Sequence, residues 1–364
     1  MWRCLELARL GGGYTAPNPM VGAVLVYEDR VIGEGYHRIY GQAHAEVNCV
    51  NSVVDEDVPL ISRSTLYVSL EPCAHFGKTP PCADLIIRMR IPKVVVGCRD
   101  PFPQVNGKGI EKLLAAGVEV SVGVLEAECK DLNRRFFTFN TLHRPYIVLK
   151  WAQSANGRIA GAGLASGGGV GAAGGTGVGE RVFISNEYAN RLVHKWRSEE
   201  AAILVGTRTA LADDPSLTVR LWSGPDPIRL VIDKDLTLPV SLKLFDGKVR
   251  TIVFNMVKHE EGENLSYYQL ANDSSLVHQV CQALYQLKIQ SVLVEGGARL
   301  LQSFIDEGYW DEARVITNNE LELPGGLAAP FLSGGDRKRG GRDVSLPISH
   351  EFLFSDTVRY YKNL

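Results

Sequence analysis

No uninterrupted run of about 18 apolar residues occurs in this chain, so no segment is expected to span a membrane. A basic excess is missing too. Lys plus Arg number 39 against 41 Asp plus Glu, a formal charge of −2, so no global basic field recruits nucleic acid. The opening Met1-Trp2-Arg3-Cys4-Leu5-Glu6 has neither the basic head nor the apolar body of a secretory leader. Cysteine is scarce, seven residues spread thinly and odd in number, which excludes a disulfide framework and points to reduced thiols in a cytoplasmic protein. What is present is 45% hydrophobic and 22% charged residues, a folded composition, in 364 residues that suit two domains.

Apolar runs alternate with helical patterns. Strands are expected at Val21–Val26, Leu66–Leu70, Val94–Cys98, Ile147–Trp151, Ile203–Gly206, Ile228–Ile232, Thr251–Phe254 and Val292–Glu295. Helices are expected at Ala45–Val53, Cys82–Arg90, Ile110–Ala116, Glu187–Arg197, Leu276–Leu287 and Ala298–Asp306. Such alternation predicts an α/β architecture with covered, largely parallel sheets. An amphipathic segment ends near Asn140–Arg144 and Pro145 opens a new strand, giving a first domain over residues 1–143 and a second over 146–364. Gly161–Gly179 is nearly all small residues. Its Gly169-Val170-Gly171-Ala172-Ala173-Gly174 matches GxGxxG, but no strand precedes it and no helix follows, so it reads as a loop. Gly334–Arg342 reads as an exposed loop.

The informative chemistry lies in the first half. His44-Ala45-Glu46 opens a helical pattern, Glu71-Pro72-Cys73 follows a strand, and Cys82 begins another helix. One imidazole and two thiolates are the three protein ligands of a catalytic zinc, which keeps a fourth position for water. Glu46 is near enough to take that water's proton and pass it to a leaving nitrogen without ligating the metal. HxE with Pro-Cys and a later Cys is the signature of a zinc nucleobase deaminase, here with eight residues between the cysteines rather than two. A structural zinc would need a fourth protein ligand, for which His75 and Cys98 are available; Glu46 would then have no role.

Thr15-Ala16-Pro17-Asn18-Pro19-Met20-Val21-Gly22-Ala23-Val24, Ala43-His44-Ala45-Glu46 and the run from Glu71 through Ala74-His75-Phe76-Gly77-Lys78-Thr79-Pro80-Pro81-Cys82 together resemble the bifunctional riboflavin biosynthesis deaminase–reductase family, including its long cysteine gap. The second half adds Ala210-Leu211-Ala212-Asp213-Asp214-Pro215-Ser216-Leu217-Thr218-Val219-Arg220 and Val294-Glu295-Gly296-Gly297, so the resemblance runs from about residue 2 to the C-terminus. It implies a cytidine-deaminase-like three-layer α/β/α domain followed by a dihydrofolate-reductase-like α/β domain. It also implies two consecutive steps. A pyrimidine bearing a ribosylamino 5-phosphate is deaminated to the uracil with one zinc per chain, and the ribosyl chain is then reduced to ribityl with NADPH. The alternative is a deaminase of tRNA or free nucleosides fused to an unrelated module, and the nearly balanced charge argues against tRNA.

By the same resemblance, Asn18, His37, His75 and Lys78 surround the deaminase substrate, while His44, Cys73 and Cys82 hold the metal and Glu46 catalyses. On local grounds His75 and Lys78 would read as a solvated loop. Arg181, Arg197, Leu217, Arg220 and Glu295 match the reductase substrate positions, and two arginines suit a phosphate. Lys150, Gln153, Phe183, Thr209, Asp213, Lys234, Gly297, Ala298, Arg299, Leu300, Leu301, Gln302 and Ser303 match cofactor positions. Lys150 and Glu295 fall at the reacting sugar. Taken alone, Asp213-Asp214-Pro215 reads as a turn and Gly296-Gly297 fits a tight strand-to-helix turn as well as a pyrophosphate seat. The family also suggests a homo-oligomer joined through the reductase domains.

Overall fold

The computed structural model describes residues 1–76, 80–161, 182–332 and 347–363, which fall into two compact units, Met1–Arg144 and Pro145–Leu364. Lys78, Arg181, the glycine-rich residues from 162 onward and the Gly334–Arg342 stretch lie outside the described residues.

In the first unit the order is α1 (Trp2–Arg9), β1 (Gly22–Tyr27), β2 (Arg30–Tyr36), α2 (Ala45–Asn51), β3 (Thr65–Leu70), α3 (Cys82–Arg88), β4 (Lys93–Cys98), α4 (Lys108–Ala115), β5 (Glu119–Val122), α5 (Glu126–Leu132) and α6 (Arg134–Leu142). The sheet runs β2-β1-β3-β4-β5. Alternate residues of its strands serve opposite layers. Ala23, Leu25, Leu66, Val68, Val94 and Val96 pack with residues of α2, α3 and α4, whereas Val24 packs with Cys4 and Leu7 of α1. Leu70 and Cys98 meet Leu5 and Cys129 on that second side. Helices therefore cover both faces.

The second unit follows with β6 (Tyr146–Gln153), β7 (Arg158–Ala160), α7 (Glu187–Glu199), β8 (Ala202–Gly206), α8 (Thr207–Asp213), β9 (Ile228–Ile232), β10 (Thr251–Asn255), β11 (Leu265–Gln269), α9 (Leu276–Gln286), β12 (Ser291–Val294), α10 (Ala298–Asp306), β13 (Glu312–Asn318), β14 (Leu327–Ala328), β15 (Ser349–Leu353) and β16 (Asp356–Lys362). Among the described residues nine strands share one sheet in the order β11-β10-β9-β8-β12-β6-β13-β16-β15, and β7 pairs separately with β14. Residues of α9 and α10 pack on one face and residues of α7 and α8 on the other.

Two sequence expectations need correction. The first sheet is mixed rather than largely parallel, β1 being antiparallel to both β2 and β3; the second is largely parallel as expected, from β11 through β13, with only β16 antiparallel to its neighbours β13 and β15. Two-residue connections, Glu28–Asp29 and Phe354–Ser355, join β1 to β2 and β15 to β16, and so short a loop permits only an antiparallel neighbour. Asp213 is not a turn residue but the last residue of α8; the turn begins at Asp214, whose φ of 38° ends the helix.

Candidate active sites

The first site is assembled at helix starts. His44 is the N-cap of α2, Cys82 is the first residue of α3, and Cys73 sits in the loop after β3. The His44 Nδ1 lies 3.6 Å from the Cys73 sulfur and 3.3 Å from the Cys82 sulfur, and the three donors are mutually within 4.8 Å. A nitrogen and a sulfur bound to one tetrahedral zinc at 2.0–2.3 Å stand about 3.6 Å apart, so the donor set and its spacing fit that ion. Neither His75 nor Cys98 joins the group, and no other cluster of three such donors forms among the described residues. The Cys98 thiol donates instead to the Ser69 carbonyl on the far face of the sheet. Cys82 donates its backbone N–H to the Cys73 sulfur at 3.3 Å. The Cys82 side chain, the His44 imidazole and that N–H together outweigh burial and hold the Cys73 thiol well below the ordinary thiol range.

Glu46, in the first turn of α2, is buried beside this cluster, and burial raises its carboxyl above the ordinary range. His37 is also buried. Its Nδ1 lies 3.0 Å from the Ala43 carbonyl, which can only accept, so Nδ1 carries the proton and Nε2 accepts from the Asn18 Nδ2 at 3.2 Å. Burial lowers the His37 pKa, which favours this neutral form. Its ring stands edge-on to His44 with centroids 5.4 Å apart, which brings Asn18, His37 and the donor cluster together. His75 packs near Phe102 and has a buried Nδ1 without a partner among the described residues.

Sequence reasoning left two supporting residues unassigned. Glu71 is buried, and its carboxylate accepts backbone N–H groups from Asp100, Gly107, Gly109 and Ile110, fastening the start of α4 to the segment that leads into Cys73. Only glycine fits at position 109, because a Cβ there would stand 1.8 Å from the Pro72 carbonyl oxygen. Asn133 receives the Met20 N–H and donates to the Met20 carbonyl, and so fixes the strand-ward end of the Pro-Asn-Pro turn. The Glu-Pro-Cys string was itself a signal for Glu71; Asn133 carried none.

The second site sits at carboxyl ends of parallel strands, where α/β sheets bind ligands. The chain adds β8 to β11 on one side, then returns to place β12 between β8 and β6. Glu295 directly follows β12. Arg197 from α7 donates Nε to its Oε1 and Nη2 to its Oε2, both at 2.8 Å, and Lys150 on β6 lies 3.8 Å away. Burial acts against the Glu295 carboxylate, but the charges of Arg197 and Lys150 prevail and hold it down to about 2. Burial lowers the Lys150 pKa. Arg197 also donates Nη1 to the Thr218 carbonyl, so three of its five N–H groups are engaged within the protein. Leu217 is buried with φ 53°, and Arg220 is held by its backbone N–H on His194, a residue the sequence did not single out.

Gly296 and Gly297 are required where they stand. A Cβ on Gly296 would come within 2.8 Å of the Val205 Cα, and Gly297, the N-cap of α10, has φ 57° with Thr209 Oγ1 near its missing Cβ. The first N–H groups of α10 have no partner within the helix. Beyond them the side chains are committed elsewhere. Leu301 is in the core, Gln302 bonds to Asp306 and to the backbone of Phe331, and the Ser303 hydroxyl donates to the Arg299 carbonyl. Leu300 packs partly buried near Gly206. Gln153 ends β6 and accepts from the Trp151 indole, Lys234 follows β9, and Phe183 is 74% exposed.

A family model for the cytidine and deoxycytidylate deaminase zinc-binding region matches residues 1–98, and one for the RibD C-terminal domain matches residues 145–322. Riboflavin biosynthesis protein RibD of Aquifex aeolicus is 41% identical over 98% of this chain and 96% of its own length. The chain belongs to the RibD family. The RibD of Bacillus amyloliquefaciens is 37% identical over 93% of this chain and 88% of its own. The crystal structure of a diaminohydroxyphosphoribosylaminopyrimidine deaminase/5-amino-6-(5-phosphoribosylamino)uracil reductase from Thermotoga maritima is 34% identical, covers 100% of this chain and 97% of that one, and superimposes with a TM-score of 0.84. A RibD from Acinetobacter baumannii reaches 0.83 at 31% identity, covering 100% and 98%. As a RibD, this chain is a bifunctional deaminase and NADPH-dependent reductase of riboflavin biosynthesis, with a zinc-binding deaminase half. No helix among its described residues is long and apolar enough to cross a membrane.

Proposed function

We propose that the first unit deaminates a diaminopyrimidine carrying a 5-phosphoribosylamino group and that the second reduces the ribosyl chain of the resulting uracil. His44, Cys73 and Cys82 hold the zinc, which when bound supplies an acidified water and leaves one position free of protein. Glu46 takes a proton from the attacking water onto its carboxylate and returns it to the departing nitrogen, so that ammonia leaves. Asn18 has one amide hydrogen committed to His37 and presents its oxygen to the amino edge of the ring. His75, whose Nδ1 has no partner among the described residues, and Lys78 bind the ribose and phosphate. The spacing of the three donors beside a buried Glu46 is the observation that carries this reading.

In the second unit the backbone of Gly297, Ala298 and Arg299 at the start of α10, followed by Leu300, Leu301, Gln302 and Ser303, would hold the cofactor's pyrophosphate. Thr209, Asp213, Lys234, Gln153, Lys150 and Phe183 line the remainder. NADPH supplies the hydride when bound. Arg181, Leu217 and Arg220 receive the phosphorylated substrate, and Arg197 orients Glu295 beside it. Lys150, whose ammonium burial disfavours, gives a proton to the ribosyl ring oxygen as the ring opens. The chain acts as a cytoplasmic homo-oligomer joined through this unit; its seven free thiols and the exposed Phe352 on edge strand β15 support that view, and sedimentation velocity tests the assembly.

The test is a coupled assay on zinc-loaded protein. Without NADPH the phosphoribosylaminopyrimidine is expected to release ammonia and accumulate as the uracil; with NADPH it proceeds to the ribityl product. No ammonia from zinc-loaded protein overturns the first assignment, and no oxidation of NADPH when the uracil is supplied overturns the second.

A further inference from the structure

Three tethers converge on consecutive residues of the segment that ends in Arg220. The Thr218 carbonyl accepts from Arg197 Nη1 at 3.3 Å, the Val219 N–H donates to Asp226 at 2.6 Å, and the Arg220 N–H donates to His194 Nδ1 at 3.0 Å. His194 and Arg197 stand three residues apart on α7, so they share one helix face. The segment needs holding, because it leaves Leu217 buried with a positive φ that a branched side chain adopts only when its surroundings impose it.

We propose that His194 is a positioning residue for the reductase half: as a neutral imidazole accepting at Nδ1, it clamps the Arg220 backbone and so sets where the Arg220 guanidinium meets the phosphorylated substrate. This rests on the reading that Arg220 binds that substrate. His194 is buried, and a backbone N–H can only donate, so the ring nitrogen facing it must be unprotonated. The neighbourhood keeps it so. Burial and the flanking Arg197 and Arg220 pull its pKa down to about 4, with Glu295 opposing. An imidazolium would present a proton to the Arg220 N–H and add a third cation beside two arginines. One helix thus orients Glu295 through Arg197 and the substrate arm through His194.

The test uses the full zinc-loaded enzyme with NADPH and 5-amino-6-(5-phosphoribosylamino)uracil. Asparagine carries its Oδ1 where histidine carries Nδ1, whereas glutamine mimics the other ring nitrogen and leucine accepts nothing. In His194→Leu and His194→Gln, KM for the uracil substrate is expected to rise about tenfold, the size of one lost hydrogen bond. KM for NADPH and the deamination rate stay unchanged. His194→Asn is expected to remain within about twofold of the parent on the same scale. Hydrogen exchange at the Arg220 amide accelerates in the Leu and Gln variants and not in Asn.

Unchanged exchange in His194→Leu and His194→Gln overturns the clamp, and so does an Asn variant as impaired as the other two. Should the leucine variant fail to fold, the Asn and Gln pair decides by the same two measurements. Arg220→Gln separates the proposal from the reading beneath it. If Arg220→Gln raises KM while the Leu and Gln variants do not, the positioning role is wrong. If Arg220→Gln leaves KM unchanged, the assignment of Arg220 to substrate is wrong, the positioning role falls with it, and the exchange data still decide the clamp.

Discussion

Arg197 and Glu295 face each other as two planar forks, with two parallel hydrogen bonds of 2.8 Å inside a buried site. Removing one partner leaves an uncompensated charge, which costs about 3–5 kcal/mol in such surroundings. Glu295→Gln is therefore expected to lower the stability of the second unit by about 3 kcal/mol and to suppress NADPH-dependent reduction. Deamination should persist. Parallel assays of ammonia release and NADPH oxidation, with urea denaturation, measure all three.

The same pair predicts an acid limb. The Glu295 carboxyl is held to about 2, below its ordinary 4.5, so its contribution is complete above pH 4.5 and is lost as pH falls toward 2. The loss should approach about 3 kcal/mol, because each tenfold change in proton affinity between the folded and unfolded chain is worth roughly 1.4 kcal/mol. In Glu295→Gln that part of the decline disappears. Urea midpoints of parent and variant between pH 5 and pH 2 should converge if the assignment is right and run parallel if it is wrong.

For the deaminase half, Glu46→Gln keeps the shape of the side chain but cannot carry the proton. Deamination is expected to fall by about 10²–10⁴. Zinc content, read by elemental analysis, and reduction of supplied uracil should match the parent. Loss of metal in this variant would mean that Glu46 serves the zinc rather than the substrate.

Glu71→Ala strips the partner from four backbone N–H groups at once. A stability loss of roughly 3 kcal/mol is expected, with faster release of zinc to a chromogenic chelator because Cys73 is only two residues away. Gly109→Ala should do the same through steric conflict with the Pro72 carbonyl. Normal zinc retention in both variants would show that the start of α4 does not support the metal loop.

Much of this was readable in the amino acids, and what was not has local causes. The starts of α2 and α3 agree with expectation because His44 and Pro81 carry extended backbone angles immediately before helical residues. Strand β2 was missed because Arg30-Val31-Ile32-Gly33-Glu34-Gly35-Tyr36 is interrupted by two glycines. Those glycines answer to tertiary packing: a Cβ on Gly33 would stand 2.6 Å from the Cys49 carbonyl oxygen, and one on Gly35 2.2 Å from the Cys49 nitrogen, so α2 lies directly over them. Local propensity penalises what that helix demands. The metal donors were legible because coordination chemistry restricts residue type. Asn133 and His194 were not, since each acts on the backbone of a distant segment and a single polar side chain carries no mark of such a partner.

The position of β12 has a consequence for synthesis of the chain. Its neighbours β6 and β8 pair with it on either side, yet both leave the ribosome earlier, as do β9, β10 and β11. Until residue 294 has emerged, the nascent second unit holds the four strands β8 to β11 and, apart from them, β6 alone, because β13, β15 and β16 are made later still; the facing edges of β8 and β6 stay unpaired. Insertion of one four-residue strand then joins β6 to β8 and its neighbours and, in the same event, delivers Glu295 to Arg197 and Lys150. A ribosome stalled before that point would present a sticky intermediate rather than a partly working reductase.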